Sequence, residues 1–167
     1  MEYTLRTWQE NDVESLIKHA NNPKIAQFMT DAFPYPYTEE KGKAFIKYAL
    51  TGNPTNIFAI EVEGNAVGGI GIHPQLDVMC KNAELGYWLS EQYWGRGIIT
   101  NAIQEMVNYA FEKFDIIRIY ARPYGNNIAS QKALLKARFV LEANIQKSIF
   151  KNGELLDEMI FAYRKNK

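Results

Sequence analysis

The chain has 167 residues, of which 47% are apolar and 23% charged, with 22 aromatic side chains (three Trp, ten Tyr, nine Phe). This is the composition of one globular domain with a real core, and it excludes disorder, a collagen-like repeat and a coiled coil. Nineteen Lys and Arg balance nineteen Asp and Glu, which argues against a dedicated nucleic-acid binder, whose affinity comes from neutralising phosphates.

In chain order, residues 3–8 read as a short strand. From Asn11 the period changes, because Val13, Leu16, Ile17 and Ala20 lie at i, i+3, i+4 and i+7, one face of a helix that Asn11 or Asp12 can cap. Pro23 opens a second short helix over residues 24–29. Residues 30–37 cannot continue it, since Pro34 and Pro36 hold their predecessors extended. Thr38, followed by Glu39 and Glu40, starts a third helix with Phe45, Ile46 and Ala49 as its apolar face.

Strands follow. Residues 56–62, a turn at Glu63-Gly64-Asn65 and residues 66–72 read as a hairpin. After a loop over 74–81, residues 83–89 form another strand. Gly95-Arg96-Gly97 then leads into a long helix, in which Ile99, Ala102, Ile103, Met106 and Ala110 keep helical spacing. Residues 118–122 are a strand and 127–137 a helix. Residues 140–150 and 155–164 flank Asn152-Gly153, the strongest short-range hairpin signal. With no linker, low-complexity segment or internal repeat, the expectation is one α+β domain over residues 1–167 built on a mixed sheet.

Charge is uneven along this domain: residues 1–83 carry seven basic and ten acidic side chains, and residues 84–167 twelve and nine. The positive excess of the second half suits a small polyanionic ligand and equally suits scatter over a solvated surface. Cys80 is the single cysteine, so no internal disulfide forms and a reducing compartment is natural. No run of about 18 apolar residues spans a membrane. The amino terminus, with Glu2 and Arg6, has no apolar signal segment, and the cytoplasm is the expected location.

Metal and nucleophile chemistry find little support. His19, His73 and Cys80 stand at unrelated spacings and make no zinc pattern. His19 is placed on the polar face of its helix with a structural role. Cys80 is an inert small residue near a strand start, and no phosphate loop ending in Gly-Lys-Ser/Thr is present.

The informative stretch is residues 83–107, where a strand passes through Gly95-Arg96-Gly97 into a periodic helix. Glycines let the backbone approach a ligand closely, and the first N–H groups of a helix have no helical partner. Together with the positive end of the helix dipole they make a cradle for an anion such as a pyrophosphate, with Arg96 available as a charged contact. Gln92-Tyr93-Trp94-Gly95-Arg96-Gly97 fits the pattern Gln/Arg-x-x-Gly-x-Gly/Ala. Such a short match is common by chance, and its place between strand and helix is what gives it weight.

On these residues the chain resembles the GNAT N-acetyltransferases, whose acetyl-CoA pyrophosphate motif lies between the fourth strand and the next long helix. Glu84-Leu85-Gly86-Tyr87-Trp88-Leu89 is similar to the fourth strand of the branch that includes the ribosomal-protein N-terminal acetyltransferases. Asn127-Ile128-Ala129-Ser130 resembles that branch's Asn-x-x-Ser, and Pro36-Tyr37-Thr38-Glu39-Glu40 its early helix start. The order of elements agrees over nearly the whole chain. Two positions depart: Leu134 stands where many members carry a Tyr that protonates the leaving thiolate, and Arg138 stands where a Gly ends the helix before Phe139.

The resemblance implies a GNAT-like domain, a mostly antiparallel mixed sheet flanked by helices on both faces. It also implies acetyl transfer from acetyl-CoA to a primary amine, either a protein N-terminus or a small molecule, by direct attack in a ternary complex. No metal, nucleic acid or membrane is implied, and a homodimer is permitted. Glu84 is the candidate base, since an ammonium must lose a proton before it attacks. The backbone N–H of Leu89 would serve the thioester oxygen, with Trp88, Leu89 and Ser90 pairing along the pantetheine arm. Gln92, Gly95, Arg96, Gly97, Ile98, Ile99 and Thr100 would hold the pyrophosphate. Asn127 would bond near the thioester, Ser130 would donate to the departing sulfur, and Lys132 and Lys136 would reach the nucleotide phosphates. Tyr35, Tyr37, Tyr87 and Trp88 are candidates for an acceptor pocket.

Two rivals belong to other classes. Leu134 in place of Tyr fits an acetyl-CoA-binding sensor or interaction module with little catalysis. A dinucleotide-binding oxidoreductase would read Gly95-x-Gly97 as a Rossmann turn, but the third glycine is Thr100 and several strands precede the motif.

Overall fold

The computed structural model describes residues 1–165. Among these residues seven strands form one sheet: β1 (Thr4–Thr7), β2 (Ile57–Val62), β3 (Asn65–Pro74), β4 (Asn82–Leu89), β5 (Arg118–Ala121), β6 (Val140–Lys151) and β7 (Glu154–Arg164). Their order is β1-β2-β3-β4-β5-β7-β6. The pairs β1–β2, β2–β3, β5–β7 and β6–β7 are antiparallel and β4–β5 is parallel, so the sheet is mixed as expected. Among the described residues five α-helices accompany it: α1 (Val13–Ala20), α2 (Pro23–Ala26), α3 (Glu39–Ala49), α4 (Ile98–Lys113) and α5 (Ile128–Lys136).

Both hairpins turn where the sequence places them. Glu63 and Gly64 have φ of 50° and 79°, and Asn152 and Gly153 have 52° and 82°. Two successive positive φ values match the right-handed twist of the flanking strands, which is why Gly is needed at the second position. α2 is shorter than the expected 24–29. After Ala26 the bonds tighten to Phe28 N–H to Ile25 O and Met29 N–H to Ala26 O, both one residue short of helical spacing.

The expected cap of α1 is also corrected. The carboxylate of Asp12 makes no cap bond to α1. It accepts from Arg6 at 2.7 and 2.8 Å and from the Gln9 N–H at 2.8 Å. A bidentate guanidinium is a stronger partner than one helix N–H, and Arg6 also pairs with Glu61.

The chain packs as two compact units, Met1–Gly71 with Tyr87–Ala102, and Ile72–Gly86 with the chain from Ile103 onward. In the first, Trp8, Leu16, Ala20, Ile25, Tyr37, Ile46, Ala59 and Trp88 are buried in one cluster, with Trp8 edge-on to Phe45 at 5.3 Å. In the second, Ile103, Met106, Ile119, Leu134, Phe139 and Phe161 are buried. Side chains of this size each contribute about 1.5–3 kcal/mol when removed from water.

Candidate active site

Past Leu89 the chain is fixed before it reaches the glycines. The Ser90 N–H donates to Val67 O at 2.9 Å, a turn of 3₁₀ helix covers Glu91–Tyr93, and the indole N–H of Trp94 donates back to Leu89 O at 2.7 Å. Gly95 and Gly97 then take φ of 72° and 80°, and a Cβ at either would meet no atom within 4 Å. The backbone conformation, rather than crowding, requires glycine there.

The Asn101 N–H bonds to Gly97 O at 3.1 Å as α4 begins. The N–H groups of Ile98, Ile99 and Thr100 therefore precede the first helical bond and have no helical acceptor. Ile98 is buried and anchors the helix start, whereas Gln92, Gly95, Arg96 and Gly97 are exposed. The guanidinium of Arg96 lies 5.7 Å from the centre of the Tyr93 ring. Open space, three N–H groups and a nearby cation fit a pyrophosphate.

His19 does not lie on a polar face. It is 7% exposed, and its Nδ1 stands 3.0 Å from Ser90 Oγ, itself buried. Burial, and secondarily the charge of Lys18, holds its pKa below the ordinary histidine value. Lys18, His19, Asn22, Ser90, Glu91 and the motif residue Gln92 line an open depression of about 450 Å³. Helical periodicity cannot report this contact, because it is made by the last turn of α1 with a residue 71 positions away.

Within the second unit, Glu84 lies opposite Tyr120 at the last registered pair of the β4–β5 ladder, while β4 runs on to Leu89. Arg122 donates to both Glu84 oxygens and also to Glu158 at 3.1 Å. His73 approaches the same face of β4, its Nε2 4.0 Å from the place a Cβ would take at Gly86. Burial lowers the His73 pKa, and the charge of Glu84 opposes that shift. Arg122 was not among the sequence-derived site residues, and no local pattern marks it.

The Asn-x-x-Ser motif is a helix start. Asn127 caps α5, its Oδ1 accepting the Ser130 N–H at 3.2 Å. Ser130 is half-buried and Lys132 and Lys136 are exposed. Leu134 is fully buried, so the position where many family members carry a Tyr is here a core position. Of the aromatic candidates, Tyr37 and Trp88 belong to the core cluster, and each stacks edge-on with Phe33 at 5.4 and 6.0 Å. Burial pushes the Tyr37 hydroxyl up to about 12. The rings of both are packed into the core of the first unit. Tyr35 is exposed.

Among the described residues no group of three or more His, Cys, Asp or Glu side chains could hold a metal ion, and no helix is long and apolar enough to cross a membrane. The model of the acetyltransferase (GNAT) domain matches residues 3–140. The chain belongs to the GNAT acetyltransferase family. It is an acyltransferase of that family.

Its relatives include the uncharacterized N-acetyltransferase p20 of Bacillus licheniformis, 26% identical over 97% of this chain and 92% of that one. The ribosomal-protein-serine acetyltransferase of Escherichia coli K12 is 28% identical over 64% of this chain and 59% of that protein. Among solved structures, the microcin C7 self-immunity acetyltransferase MccE in complex with acetyl-CoA and AMP superposes with a TM-score of 0.82. That match has 26% identity and covers 98% and 93% of the two chains. The RimL ribosomal L7/L12 alpha-N-protein acetyltransferase, in complex with coenzyme A, shares the fold with a TM-score of 0.85 at 22% identity, covering 97% and 93%.

Proposed function

We propose that this GNAT enzyme acts as one cytoplasmic domain over residues 1–167. It moves the acetyl group of acetyl-CoA to a primary amine, of a protein N-terminus or a small molecule, by direct attack in a ternary complex. The observation that carries the reading is the glycine turn, with φ of 72° and 80° ahead of α4 and open space beside it. The pyrophosphate sits on the N–H groups of residues 95–100, and Gln92 and Arg96 flank it. The backbone of Trp88, Leu89 and Ser90 lies along the pantetheine arm, and Lys132 serves the nucleotide phosphates.

Glu84 takes one proton from the ammonium, which frees the nitrogen lone pair. The C–N bond then forms on the thioester carbon while the C–S bond breaks. The Leu89 N–H donates to the carbonyl oxygen as it gains charge. Asn127 orients the thioester end, and Ser130 donates a hydrogen bond to the departing sulfur, which takes the second proton from the acylated nitrogen and leaves as the thiol.

The test is real-time thiol release from acetyl-CoA against a panel of amino-terminal peptides, polyamines, aminoglycosides and amino acids. Amine-dependent release is expected. Tight acetyl-CoA binding with no release for any amine would favour a sensor, the reading to which Leu134 lends itself.

A further inference from the structure

Besides the Val67 carbonyl, side chains from the corner between α1 and α2 engage the 90–93 turn, and nothing in the motif accounts for them. Asn22 uses both ends of its side chain. Its Oδ1 caps α2 by accepting the Lys24 N–H at 2.9 Å, and its Nδ2 donates to Glu91 Oε2 at 2.9 Å. Lys24 Nζ reaches the other Glu91 oxygen. One turn earlier, buried His19 meets buried Ser90 at 3.0 Å, and its ring lies 6.2 Å from that of Tyr93. Tyr93 is in turn the ring under Arg96. Residues 90, 91 and 93 are thus each engaged from one short corner, and four residues further on stands Gly97.

We propose that Asn22 and His19 are positioning residues for the acetyl-CoA site, setting the orientation of the glycine turn through Glu91 and Ser90. The inference rests on the function proposed above. A glycine-rich turn has few contacts of its own, since a Cβ at Gly95 or Gly97 would touch nothing. Its geometry is therefore inherited from the segment that leads into it. An anion cradle of N–H groups depends on direction, because hydrogen bonds weaken steeply with misalignment.

The experiment separates this role from ordinary stability. Asn22→Asp keeps the cap oxygen, since Asp caps helices as well as Asn, but turns the Glu91 partner from a donor into a second carboxylate. Glu91→Gln added to it restores a donor–acceptor pair with the polarity reversed. Acetyl-CoA binding is read by calorimetry, KM for acetyl-CoA and for the acceptor by thiol release, and folding by the melting temperature.

Asn22→Asp is expected to weaken acetyl-CoA binding roughly 3–30-fold, inside the span measured for coupled pairs. The KM for the acceptor and the melting temperature should stay close to wild type, and the double variant should recover most of the binding. Unchanged binding in Asn22→Asp overturns the proposal, as does a loss that follows the melting temperature and is not recovered by the second substitution. Wild-type protein that binds no acetyl-CoA overturns the function itself, and the wild-type titration reads that separately.

Discussion

Arg122 donates to both carboxylate oxygens of Glu84, at 3.0 and 3.3 Å, across 38 positions of sequence. A carboxylate offers about four lone-pair sites, so the guanidinium leaves room for an incoming ammonium proton. The pair thus fixes the orientation of the candidate base without using it up. Glu84→Gln should keep the hydrogen-bonding shape on one oxygen and lose the ability to take a proton. Its kcat/KM at neutral pH is expected to fall by about 10²–10⁴, the usual size of a general-base contribution. The defect should shrink near pH ~10, where much of the amine is already neutral. A pH-independent defect, or none, would remove Glu84 from that role.

The glycine turn gives a second test. Gly97→Asp forces a residue with a Cβ into φ of 80° and puts a negative charge at the proposed pyrophosphate site. Acetyl-CoA affinity should drop by roughly tenfold or more from the charge at the helix N-terminus alone. Gly97→Ala carries the backbone strain without the charge and should lose less. Equal affinity of Gly97→Asp and wild type by calorimetry would rule out this turn as the anion site.

Arg138 ends α5 with φ of 69°, the left-handed conformation a family glycine would adopt freely. The Phe139 N–H bonds to Leu134 O and the Arg138 N–H to Leu135 O, both at 3.0 Å, which is the Schellman ending. A non-glycine residue there costs roughly 1–2 kcal/mol, and glycine's freedom in the unfolded chain offsets part of any gain. Arg138→Gly should therefore be neutral or slightly stabilising in denaturant unfolding, with activity little changed. A loss of about 2 kcal/mol would instead assign Arg138 a charge role at the helix end.

Both histidines titrate below their ordinary value of 6.5, chiefly through burial. A folded-state pKa depressed below the unfolded one means that the unfolded chain binds protons first. The associated stability is complete above pH ~6.5 and is lost as pH falls through the folded values. The melting temperature should decline between pH 7 and 5, before paired carboxylates such as Glu142, held below 4.5 by Arg118, begin to protonate. His19→Gln should flatten that decline by removing one of the two groups. An unchanged pH slope in His19→Gln would show that His19 carries no part of it.

What the sequence determined by itself is what is local. The two hairpins follow from Gly64 and Gly153, the start of α3 from Thr38, the start of α5 from Asn127, and the tight turn ahead of α4 from Gly95 and Gly97, because each depends on backbone preferences within a few residues.

Only the tertiary structure decided which of these groups were already engaged. Periodicity assigned His19 to a polar face, whereas the fold buries it against Ser90. It offered Asp12 as a cap, whereas Arg6 claims the carboxylate. The family resemblance offered Tyr37 and Trp88 for an acceptor pocket, whereas their rings belong to the core cluster. Arg122 on Glu84 and Asn22 on Glu91 join residues 38 and 69 positions apart, and no local pattern encodes such pairs. They are set by strand register and by where a helix ends, and those follow from packing the whole chain.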